Sequence, residues 1–163
     1  MVVLRGKRMT ASVKLLDPQK INTSDYKARY VGCLILTKDH QILLQQRGHD
    51  FVKHPDYLCE FGGRIEQGEE PNQSLVRELN EELGALVQEN EAISLGALTE
   101  AMSGHTELVY VYFWHDARGT ITGCYEGSAK LFDHIESILA YTKITDGLCW
   151  MLDECQRRGL LKK

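Results

Sequence analysis

A chain of 163 residues that is 43% apolar and 26% charged has the size and mixture of one soluble globular domain, long enough to bury about 70% of its unfolded surface without a disulfide or structural metal. A formal charge of −4 and a sequence pI near 5.9 argue against wrapping a nucleic-acid polymer, which needs excess Lys and Arg to release counterions. No apolar run approaches the roughly 18 residues of a membrane span, so no membrane partner is expected. The five scattered cysteines, with no Cys-x-x-Cys pair, indicate reduced thiols and a cytoplasmic protein.

In chain order, Met1 to Arg8 has too few apolar residues before its charges to serve as a secretory leader. No linker, repeat or low-complexity tract follows, so residues 1–163 are expected to form a single domain. Residues 29–37 are rich in Val, Ile, Leu and Tyr; Lys38, Asp39 and His40 then precede Ile42, Leu43 and Leu44, a pattern that predicts a β-hairpin. Residues 48–57 carry Gly, Asp, His and Pro without periodicity and are expected to be a surface loop. A short strand over 58–61 runs into Gly62 and Gly63, and a helix follows over 72–83, with Pro71 suited to its first turn and Gly84 to its stop. Leu75, Leu79 and Leu83 give that helix a buried stripe.

Strands are expected over 93–99 and 108–114. In the second, Tyr110, Tyr112 and Trp114 alternate with Val109, Val111 and Phe113, so both faces should be covered and the aromatic stripe should be core, not a base-stacking platform. A last helix over 145–158 places Leu148, Met151, Leu152 and Cys155 at helical spacing before Gly159. The fold class is α/β, a mixed β-sheet with helices on both faces.

The acid-rich helix carries the chemistry. Glu78 and Glu82 lie one turn apart on a single face, with Glu81 beside them. In a cleft of effective dielectric near 20, two carboxylates about 6 Å apart repel by roughly 3 kcal/mol, and the helix C-terminus disfavours negative charge further. A bound divalent cation removes these penalties. Carboxylate oxygens completed by substrate phosphate suit Mg2+, or Mn2+.

The stretch from Gly63 to Ala85 resembles the signature of the Nudix hydrolase family. Gly63, Glu69, Arg77, Glu78, Leu79, Glu81, Glu82, Gly84 and Ala85 fill its specified positions, a match expected by chance in roughly one such chain in ten million. The resemblance implies a Nudix-like α/β/α sandwich that hydrolyses the phosphoanhydride bond of a nucleoside diphosphate derivative, a small-molecule nucleotide. It implies Glu78 and Glu82 as metal ligands, Glu81 contributing to catalysis, a main-chain carbonyl of Gly62 or Gly63 as a further ligand, and Glu69 with Arg77 as a structural ion pair. The chain departs from the family's common pattern at Phe61, where many members have Pro before the double glycine.

Family members also recruit an acidic residue from beyond the box, for which Glu126 is the first candidate and Glu107 and Glu100 its rivals. Arg47 and Arg64 are expected to contact substrate phosphate. His105 is weighed as a base against a solvated loop histidine, and His49 and His54 are read as loop residues. Relatives that cleave ADP-ribose often carry a proline after the box; none follows Pro71 here, which favours a nucleoside triphosphate. The alternatives are a nucleoside diphosphate-sugar or ADP-ribose pyrophosphatase, and a nucleotide-binding module without turnover; a homodimer is left open.

Overall fold

The computed structural model describes residues 12–88 and 90–162; the leader reading of Met1 to Arg8 falls outside them. Among the described residues eight strands form one mixed sheet. They are β1 (Val13–Leu16), β2 (Ala28–Leu36), β3 (Ile42–Gln46), β4 (Leu58–Cys59), β5 (Phe61–Arg64), β6 (Ile93–Glu100), β7 (Glu107–His115) and β8 (Ser128–Phe132). The helices are α1 (Pro71–Leu83), α2 (Ile135–Leu139) and α3 (Asp146–Arg157).

The expected hairpin forms, with Ile35 opposite Leu43 and Leu36 opposite Ile42, and then opens. Beyond those two pairs the strands diverge, and residues 58–64 enter the gap. Cys59 pairs with Gln45 of β3, the chain turns at Glu60, and Phe61 to Arg64 pair with Cys33 to Tyr30 of β2. The one strand expected over 58–61 is therefore two, each with its own partner. Phe61, which stands where many relatives have proline, is an ordinary buried strand residue opposite Cys33. On its other side β2 runs parallel to β7 from Ala28 opposite Glu107 to Leu36 opposite His115.

Alternation along β2 and β7 divides the core between the two faces of the sheet. Val31, Cys33, Ile35, Tyr112 and Trp114 face α1, whose Leu75, Leu79 and Leu83 are fully buried. Leu34, Val109, Val111 and Phe113 face α2 and α3, where Ile138, Leu148, Met151 and Leu152 pack. Trp114 and Tyr112 are core, as their alternation indicates. Burying each α1 leucine contributes about 1.5–3 kcal/mol, which fixes the helix against the sheet. Its N-terminus is secured by the Glu70 N–H donating to Gln73 Oε1 at 2.9 Å, and its C-terminus ends on Gly84 at φ +65°.

Three elements lacked a clear sequence pattern. β1 and β8 are the edge strands beside β6 and β3, and α2 has five residues. Among the described residues no helix is long and apolar enough to cross a membrane.

Candidate active site

Helix α1 lies with its leucines on the sheet and sends Glu78 and Glu82 toward the Gly62–Gly63 segment of β5. Glu82 is 4% exposed, and its Oε2 accepts the Gly62 N–H at 3.4 Å. The two glycines make the approach feasible. A Cβ on Gly62 would stand 1.9 Å from the Val31 carbonyl oxygen of the paired strand, and one on Gly63 would stand 2.3 Å from Glu78 Cδ. The Glu78 carboxylate thus occupies the space that a side chain at position 63 would fill.

Arg77 locks the intervening loop. Its Nε and Nη2 donate to the two Glu69 carboxylate oxygens, each at 2.8 Å, and Nη2 also reaches the Arg64 carbonyl at 3.0 Å. These bonds, helped by the Glu66 N–H, hold the Glu69 carboxyl down to about 2. The other amino group, Nη1, donates to Glu78 Oε1 at 2.9 Å and to Glu81 Oε2 at 3.3 Å. Glu81 does not turn into the cleft with its neighbours; its side chain is 58% exposed and leans on Arg77.

Glu126 reaches the cluster through the end of α1. The last carbonyls of a helix lack partners within it, and here the Tyr125 N–H donates to Glu82 O at 2.8 Å and the Thr122 N–H to Leu83 O at 2.9 Å. Gln45 Nε2 secures the Glu126 carbonyl from β3 at 3.0 Å. This brings the Glu126 carboxylate to Glu82. Burial, the Glu126 charge, hydrogen bonding with Glu126 and the Glu78 charge together push the Glu82 carboxyl up to about 9. Burial also raises Glu78, opposed by Arg77.

These groups line a cavity of about 360 Å³ at the opening between β2 and β3. Gly62, Gly63, Arg64, Arg47, Glu78, Glu82 and Glu126 all border it. Glu100 and Glu107, the rivals to Glu126, border it too. Glu100 Oε2 accepts the Gly147 N–H at 2.8 Å, and burial followed by the charge of Glu60 pushes its carboxyl up to about 7. His54 lines the cavity, whereas His105 sits in its turn with Nδ1 2.8 Å from Thr99 Oγ1; His49 pairs with Asp56.

Two charged lining residues escaped the sequence reading. Glu60 fills the bend between β4 and β5 against Gly32, where a Cβ would lie 2.8 Å from its Oε1, and it accepts from Thr145 Oγ1 at 3.4 Å. A charge inside the apolar run Leu58 to Phe61 was its available signal. Lys53, in the unpatterned loop, offered none; its amino group meets Glu107 and the Tyr30 hydroxyl.

The donor chemistry fits a hard divalent cation: Glu78, Glu82 and Glu126 are carboxylates held in one cleft against mutual repulsion, with a glycine cradle beneath Glu78. Among the described residues no three acid, histidine or cysteine side chains already converge on one point. Glu78 is turned toward Arg77, as repulsion between the carboxylates favours.

Residues 26–146 match the model of the NUDIX domain. The MutT protein from Methanosarcina mazei Go1 is 15% identical with a TM-score of 0.62, over 85% of this chain and 99% of its own. The NUDIX domain of Shewanella oneidensis NrtR, solved with ADP ribose, gives 15% identity and a TM-score of 0.62 over 88% of this chain and 93% of its own. The E. coli ORF135 protein gives 24% and 0.57 over 83% and 95%. No curated protein sequence matches significantly. At such identities the solved structures speak for the fold alone, which is the mixed α/β arrangement described above. The domain match spans most of the chain and includes the whole Gly63 to Ala85 segment, and by it this protein belongs to the Nudix family.

Proposed function

We propose that the chain is a magnesium-dependent Nudix hydrolase that cleaves a nucleoside triphosphate to a mononucleotide and pyrophosphate. The observation that carries this reading is the gathering of Glu78, Glu82 and Glu126 beside Gly62 and Gly63 in one cavity. A module that only bound nucleotide would have no use for carboxylates held against their own repulsion.

Glu78, Glu82 and Glu126, with a carbonyl of Gly62 or Gly63, would hold the cation. When bound, Mg2+ or Mn2+ supplies positive charge that offsets the substrate's phosphate oxygens and lowers the pKa of water. The chain's own residues do the rest. Arg77 and Glu69 keep the glycine segment and α1 in register, so that Glu78 stays against Gly63. A carboxylate of the Glu78 and Glu82 pair accepts the proton of the attacking water, while Glu81 stays turned outward on Arg77. Arg64 and Arg47 border the same cavity, where cationic side chains would meet the phosphates. The reaction suits a reduced cytoplasmic protein with a small nucleotide as its partner.

A panel of nucleoside triphosphates and diphosphate conjugates, assayed at fixed Mg2+ for released mononucleotide and pyrophosphate, tests this directly. Turnover of a triphosphate is expected, and Glu78→Gln should lower it by roughly 100- to 10,000-fold. Failure to split any nucleotide with Mg2+ or Mn2+ would refute the proposal.

A further inference from the structure

We propose that Lys53, on the loop between β3 and β4, holds the substrate's phosphate chain, and that polyphosphate takes this lysine over from Glu107. The inference rests on the reading of the cavity as a nucleotide site and adds to it a phosphate-binding residue outside the Gly63 to Ala85 segment.

The geometry separates the roles of two neighbouring cations. Arg47 Nε donates to the Lys53 carbonyl at 2.8 Å, and its guanidinium lies over the Phe51 ring at 4.7 Å. Arg47 therefore braces the loop through Nε while the rest of its guanidinium borders the cavity. What it braces is the backbone of Lys53, whose amino group extends into the cavity wall 4.6 Å from the Tyr30 ring centroid and 3.1 Å from the Tyr30 hydroxyl. A long side chain anchored at both its backbone and its tip loses little further freedom when an anion arrives.

The present partner of Lys53 is Glu107, whose side chain is 11% exposed. Removing the only counterion of such a carboxylate would be costly, but Glu107 has a second one. Lys27 Nζ stands 3.7 Å away on a side chain that is 64% exposed and so free to draw closer. Glu107 can thus yield Lys53 without being stranded. The lysine itself, 45% exposed, exchanges a single carboxylate charge for the higher charge density of a phosphate chain.

The test measures binding of inorganic tripolyphosphate by calorimetry with Mg2+ present, alongside steady-state kinetics on the best triphosphate. Lys53→Met should weaken tripolyphosphate roughly 10- to 100-fold, the range of a hydrogen bond to a charged group, and raise KM by a similar factor while leaving kcat nearly unchanged. Lys53→Arg should recover most of the loss. Glu107→Gln, which removes the competing carboxylate, should tighten tripolyphosphate by about two- to fivefold. Wild-type affinity in Lys53→Met, a fall in kcat at constant KM, or no tightening in Glu107→Gln would each overturn the proposal. Because binding is read without turnover, a chain that binds tripolyphosphate through Lys53 but splits no nucleotide would sink the hydrolase reading alone. Active protein with unaltered affinity in Lys53→Met would sink the lysine alone.

Discussion

Replacing Glu82 by Gln should make the metal-free protein more stable at neutral pH, although it removes a residue proposed to serve catalysis. The Glu82 carboxyl is raised from 4.5 to about 9, so the fold favours its neutral form. A raised carboxyl contributes stability that is fully present below its unfolded pKa near 4.5 and is lost as pH climbs through about 9. At pH 7.5 some three pH units of that loss have accrued, an upper bound of about 4 kcal/mol at roughly 1.4 kcal/mol per unit. Proton sharing with Glu126 and water entry reduce this to on the order of 2 kcal/mol.

Glutamine keeps an acceptor for the Gly62 N–H but never ionises. Urea denaturation in EDTA should therefore find Glu82→Gln more stable than wild type by on the order of 2 kcal/mol at pH 7.5, with the gap closing near pH 4.5. Saturating Mg2+ should reverse the order, since binding at 100 times Kd adds about 2.7 kcal/mol to the protein that retains the site. Parallel stability curves for the two proteins across this pH range in EDTA would show that Glu82 bears no such strain.

Two further variants probe the scaffold. Gly63→Ala sets a methyl group 2.3 Å from Glu78 Cδ, so turnover should drop about 100-fold, as displacement of a catalytic group by an ångström does, while circular dichroism stays that of wild type. Arg77→Met removes the partner that holds Glu69 down to about 2. A depressed carboxyl stabilises above pH 4.5 and loses that contribution as pH falls toward 2, so wild-type melting temperature should decline more steeply than the variant's over that acid range.

The parts of the fold legible in the sequence are those written locally. Helix α1 announces itself through Pro71, the fourfold spacing of Leu75, Leu79 and Leu83, and Gly84, and the structure starts it only one residue earlier than expected. β7 shows its burial on two faces in its own alternation. By contrast, β8 is an edge strand with Ala129 and Leu131 exposed and Phe132 buried, so its apolar residues in sequence do not mark one face. The break at Glu60 depends on β2 and β3 parting, an event that involves three segments at once. The same holds within the cavity. Glu78 and Glu82 could be paired by helical spacing, but the nearness of Glu126 depends on the 122–125 turn capping the end of α1. The outward turn of Glu81 follows from its bond to Arg77, and Lys53 is defined by Glu107 and Tyr30, far away in sequence.

The parallel pairing of β2 with β7 joins segments from opposite ends of the intervening chain. Closing so long a loop is entropically slow and is rewarded only once both strands are aligned. Helix α1 can form early from its local signals, but the wall carrying Glu107 and the turn carrying Glu126 arrive with or after β7. Glu78 and Glu82 share a face as soon as α1 forms, but Glu107 and Glu126 join them only when β7 docks, so the full crowding waits until the apolar surface of β2 and β7 is buried. The late docking of β7 thus confines the complete acidic cluster to the folded protein.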